Sequence, residues 1–210
     1  MKIELDQVTP SEIEKKSFAI IESELSAVLN PELAPIIKRV IHTTADFDYA
    51  ESLCFSEGVV KKALQAILGG ACIVTDTNMG KSGINKKAFA KYGGEVFCFM
   101  ADEDVKNAAI ANGTTRAVAS IDKACRISSP LIFAVGNAPT ALIRLYELIQ
   151  DRLIFPELII GVPVGFVNVV QAKELIMQTD VPYIVARGRK GGSNVAASIC
   201  NALLYMIERD

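Results

Sequence analysis

The chain has 210 residues, half of them hydrophobic, and a formal net charge of −2. That length and apolar content build one sizeable core, so a single domain over residues 1–210 is expected. The charge balance excludes a general nucleic-acid binder, which needs a basic face, and no apolar run reaches the roughly eighteen residues that span a bilayer.

Met1 to Pro10 carries acids and no apolar signal core, so a cytoplasmic location is expected. Ser11-Glu12-Ile13-Glu14 has the form of a capping box with Pro10 as a stop before it, and the apolar residues that follow keep to one helical face. Asn30-Pro31 restarts the chain, and a second helix runs from Pro31 toward His42. Ser56 is placed to cap a helix ending at Gly69-Gly70.

From there strands and helices alternate. Ala71–Thr75 and Glu95–Met100 read as the first two strands, with a short helix over Lys86–Tyr92 between them. Helices follow from Asp102 to Asn112 and from Thr114 to Arg126. Leu131–Val135, Leu158–Val162 and Tyr183–Ala186 are further strands, followed by helices at 139–151, 168–179 and 193–208. Short, continuously apolar strands separated by helices imply a parallel sheet covered on both faces. The expected fold is therefore α/β: a three-layer α/β/α sandwich on a five-stranded, mostly parallel, flavodoxin-like doubly wound sheet, with extra N-terminal helices.

The five cysteines, Cys54, Cys72, Cys98, Cys125 and Cys200, form no Cys-x-x-Cys pair and suit a reducing compartment. So apolar a chain, with no tryptophan, is expected to cover surface by forming an oligomer.

Ligands of open parallel sheets bind beyond the carboxyl ends of the strands. The loops expected there carry Thr77, Ser82 and Asn85 after the first strand, Asn137 after the third, Pro163-Val164-Gly165-Phe166 after the fourth, and Arg187, Lys190 and Ser193 after the fifth. Glycines, amide side chains and cations on one edge make a broad rim suited to carboxylates or phosphates. Gly-x-Gly-x-x-Gly, the Walker sequence and Gly-x-Ser-x-Gly are all missing. With a single histidine and no ligand-spaced cysteines or acids, a protein-held zinc is not expected.

That histidine, His42, is the one side chain whose ordinary pKa lets it exchange protons near neutrality. It reads either as a proton carrier or as a residue packing a helix end. Asp46 and Asp48 follow closely, and a carboxylate beside the ring would hold it protonated.

Four segments together resemble the precorrin-8 methylmutase family: Arg39-Val40-Ile41-His42, Gly136–Leu142, Gly161–Val167 and Gly188–Asn194. The likeness runs from Lys16-Ser17-Phe18 to the last helix. His42–Asp48 and Ser82–Lys86 look more like the branch that handles cobalt-containing substrate. The resemblance implies an isomerase that moves a methyl group from C11 to C12 of cobalt-precorrin-8 to give cobyrinate. It implies a tetrapyrrole substrate, a homodimer with active sites near the subunit interface, and no cofactor, the cobalt arriving inside the substrate. By the same resemblance His42 is the proton donor and acceptor, Ser17 contacts substrate, and Arg116 binds a side-chain carboxylate, with an ordinary surface ion pair as the alternative for Arg116. A non-catalytic corrinoid carrier is the competing function.

Overall fold

The computed structural model describes residues 9–208. The residues before Thr9, on which most of the signal-sequence expectation rests, lie outside that range. The elements are α1 (Pro10–Glu24), α2 (Ala34–Thr44), α3 (Tyr49–Ser52), β1 (Leu53–Phe55), α4 (Val59–Leu68), β2 (Cys72–Thr75), α5 (Asn78–Gly83) and α6 (Lys86–Ala90). They continue with β3 (Val96–Phe97), α7 (Glu103–Ala111), α8 (Arg116–Ala124), β4 (Leu131–Val135), α9 (Pro139–Gln150), β5 (Leu158–Gly161), α10 (Val169–Met177), β6 (Tyr183–Ala186) and α11 (Ser193–Ile207).

The strands form one sheet in the order β1-β6-β5-β4-β2-β3. The five expected strands are all present and mutually parallel. Their order is that of a flavodoxin-like sheet, in which the order of strand addition reverses between the first and third parallel strands. The switch point therefore lies between β2 and β4. A sixth strand, β1, corrects the expected count of five. It adds antiparallel to β6, with Leu53 opposite Ala186. Three residues leaving a one-turn helix carry too little periodicity to announce a strand.

Alternate strand residues face opposite helical layers. Ile73, Ile132, Ala134, Ile160 and Ile184 pack with α2, α4 and α11. Val74, Phe133, Val135, Ile159 and Val185 pack with α8, α9 and α10. Both faces are covered, which is why the strands read as unbroken apolar runs.

Some boundaries differ from those expected. The capping box belongs to Thr9 and Glu12: the Glu12 carboxylate accepts from the Thr9 N–H at 2.8 Å and from its hydroxyl at 2.6 Å. Pro10 is thus the first helical residue, where a missing N–H is harmless. Ser56 does not cap α4, which begins after Gly58 at φ 63°. Its hydroxyl instead accepts from the Tyr183 N–H at 2.9 Å, tying the edge of the sheet.

Candidate active site

The buried stripe of α2 is Ile36, Ile37, Val40 and Ile41, so Arg39 and His42 point away from the core. The helix stops at Ala45, whose left-handed backbone (φ 53°) caps it. His42 is exposed on the wall of a cleft of about 290 Å³ between α2 and α11. Arg39 and Thr43 share its wall, Asn194, Asn201 and Tyr205 face it from α11, and Gly83 closes one end. A side chain at Gly83 would lie 2.8 Å from the Ala197 methyl, so glycine sets how closely α5 meets α11.

The Phe18 ring lies 5.4 Å from the imidazole, tilted by 39°. The Arg39 guanidinium stands 4.9 Å over Phe18 and 5.1 Å over Tyr205, and pairs with Glu14 at 2.8 Å. An adjoining, more apolar cleft of about 350 Å³ shares Arg39 and Tyr205 with the first.

The carboxyl edge of the sheet is more tightly bonded than the sequence suggests. At the switch point the buried Asp76 carboxylate accepts three backbone N–H groups, from Gly136 at 2.9 Å, Asn137 at 2.7 Å and Ala138 at 2.6 Å. Burial pushes its pKa up, and the three donors oppose that push. Thr77 caps α5 and shares a 2.7 Å hydrogen bond with the Ser193 hydroxyl. Asn85 caps α6 through its side chain, while its N–H donates to Asn201. Lys173, on α10, is completely buried and donates to the carbonyls of Gly188 and Lys190, both at 2.8 Å. Desolvation lowers its pKa to about 8.

Two rim cations are paired within the chain. Arg187 meets Glu174 at 3.2 Å. Lys190 reaches Asp46 at 2.6 Å and Asp48 at 2.5 Å. The lysine bond holds the Asp46 carboxyl below its ordinary range. Both aspartates therefore serve Lys190, and among the described residues neither pairs with His42, contrary to the expectation from spacing. Among the described residues no cluster of three or more His, Cys, Asp or Glu is placed to hold a metal ion.

The family model for precorrin-8X methylmutase matches residues 12–206. The chain belongs to the precorrin-8X methylmutase family. A cobalt-precorrin-8 methylmutase of Priestia megaterium is 42% identical over 202 residues, covering 96% of this chain and 90% of the relative. One from Salmonella typhimurium is 43% identical over 203 residues, covering 93% and 95%. A crystal structure of the precorrin-8X methylmutase from Thermus thermophilus superposes with a TM-score of 0.85 at 38% identity, over 94% of this chain and 98% of that one.

The residues expected to act together are only partly gathered. His42 lines the cleft. Ser17 does not, and its hydroxyl donates to the Ile13 carbonyl at 2.8 Å, although its neighbour Phe18 touches the imidazole. Thr77, Asn85 and Ser193 brace the loops beside the cleft. Asn137 is exposed on its loop, whereas Ser82, expected in a loop, is exposed within α5, which Thr77 caps. Arg116 opens α8 on the opposite helical layer, next to Thr115, whose hydroxyl meets that of Thr140 at 3.2 Å. It is exposed, and among the described residues it carries no ion pair. Residues missed as site residues are Arg39, Asn194, Asn201 and Tyr205. Arg39 was signalled, since residues three apart share a helix face.

Proposed function

We propose that this chain catalyses migration of a methyl group from C11 to C12 of cobalt-precorrin-8, giving cobyrinate, with His42 as the proton donor and acceptor. The observation that carries the reading is the placement of the chain's only histidine on the cleft between α2 and α11. The relatives' names supply the substrate class.

A methyl shift around a conjugated ring moves no electrons to or from the protein and needs no nucleophile. The imidazolium lends a proton to a ring nitrogen, which draws electron density from the migrating centre. The same proton returns to His42 as product forms, so the balance is that of an isomerisation. A positioned acid of this kind supplies about 10²–10⁴-fold. Arg39 beside the ring supplies a guanidinium suited to an acidic arm of the substrate. Arg116 and the amides of the rim are further carboxylate contacts in this reading. No cofactor takes part, and the cobalt is part of the substrate.

The protein acts as a homodimer in this reading. Val164, Phe166 and Val167 expose a run of apolar surface on the β5–α10 loop, a natural candidate for coverage by a second copy. The five free thiols fit a reducing cytoplasm.

The test is to mix purified protein with precorrin-8, with and without cobalt, and follow the visible spectrum as conjugation changes. Conversion supports the isomerase. Tight binding with an unchanged spectrum overturns it in favour of a corrinoid carrier.

A further inference from the structure

Among the described residues Lys173 is the only fully buried lysine, and the proposed chemistry gives it no task. Burying an ammonium is costly, and an apolar side chain of similar length would fill the space at less expense to stability. What the ammonium does is visible in its acceptors. It reaches from α10 to the carbonyls of Gly188 and Lys190 and so holds the β6–α11 loop from beneath.

The loop is linked to both helices that form the His42 cleft. On the near side the Lys190 side chain crosses to Asp46 and Asp48, the residues immediately beyond the cap of α2. On the far side the loop passes through Gly191 and Gly192 into α11, whose second residue, Asn194, lines the cleft opposite His42. The loop cannot drift toward the sheet, because Gly191 is pressed against the Val162 carbonyl.

We infer that Lys173 is a positioning residue for the methylmutase reaction: it fixes the Gly188–Lys190 backbone so that Lys190 clasps Asp46 and Asp48 and sets His42 against the α11 wall. The inference rests on His42 as the proton carrier. Its effect falls on the chemical step, because it governs where the imidazole stands and leaves the cleft's own contacts to the substrate in place. Misplacing a reacting group by about 1 Å costs up to ~10²-fold.

The test compares wild type with Lys173→Met, Lys190→Met and the double variant, using cobalt-precorrin-8 as substrate and circular dichroism to confirm folding. Each single variant is expected to lower kcat about tenfold with KM changed less than about twofold, and the double variant no further. Effects that multiply, or a folded Lys173→Met with wild-type kcat, overturn the inference. If Lys173→Met does not fold, the ¹⁵N-labelled Lys173 ammonium is observed in folded wild type and Lys190→Met. A slowly exchanging signal that moves when Lys190 is replaced supports the coupling, and an unmoved one overturns it. Failure of the function itself shows separately, as wild type that converts no substrate.

Discussion

The Phe18 ring covers one side of the His42 imidazole, with centroids 5.4 Å apart. The contact ties α1 to the last turn of α2, and Arg39 over the same ring strengthens the tie. Residues that face solvent are ordinarily free to change rotamer, so an exposed ring that is to carry the proposed proton needs such a brace. Phe18→Leu keeps the apolar bulk and removes both ring interactions. It is expected to lower stability by about 0.5–1.5 kcal/mol and kcat several-fold, read by urea denaturation and by the spectral assay.

His42→Ala separates acid catalysis from binding. In the proposed reading other groups hold the substrate's acidic arms, so its dissociation constant should stay within a few-fold of wild type. The rate should fall by about 10²–10⁴. Absorbance titration gives the first quantity and stopped-flow the second. A variant that binds and converts normally removes His42 from the reaction.

Much of the fold was legible because the buried strands are short, apolar and separated by recognisable helix ends. β1 was not, since its pairing with β6 is a long-range choice that three residues do not encode locally. His42 was legible by scarcity. The rim was misjudged in one respect: the sequence shows which residues reach the edge of the sheet and hides what they bond once there. Arg187 and Lys190 are cations in the right loop, yet Arg187 is taken by Glu174, 13 residues earlier on α10, and Lys190 by Asp46 and Asp48, 144 and 142 residues earlier. Lys173 did leave a mark, standing on the apolar stripe formed with Val169, Ala172 and Ile176.

Asp76 joins the two strands that flank the switch point. Asp76→Asn leaves one oxygen where two accepted three N–H groups, and turns an NH2 toward backbone donors. Loss of about 3 kcal/mol is expected, seen as a lower denaturation midpoint with unchanged slope. The Asn137 loop should exchange its amides faster in the same variant.

Lys173 also links stability to alkaline pH. Its pKa is lowered to about 8 in the folded chain and returns to ~10.4 when unfolded. Between those values the unfolded chain binds more protons, so this group makes stability rise with pH. The burden of the buried charge is fully present below about pH 8 and is relieved toward pH ~10.4, by at most about 3 kcal/mol. The unfolding free energy of wild type should therefore rise relative to that of Lys173→Met over that window. A constant difference would mean that the ammonium titrates normally.

Two glycines of one loop should respond differently to the same methyl group. At Gly188 (φ +83°) an added Cβ meets nothing within 4 Å, so Gly188→Ala carries only the left-handed backbone penalty, about 1–2 kcal/mol. At Gly191 the Cβ would lie 2.1 Å from the Val162 carbonyl oxygen, which also accepts the Gly192 N–H at 2.9 Å. The loop must then lift from β5, taking Lys190 and the start of α11 with it. Gly191→Ala should cost about 1–3 kcal/mol in overpacking on top of backbone strain and lower kcat, whereas Gly188→Ala should leave kcat close to wild type. Equal kcat values for the two variants would show that the cleft does not depend on where this loop rests.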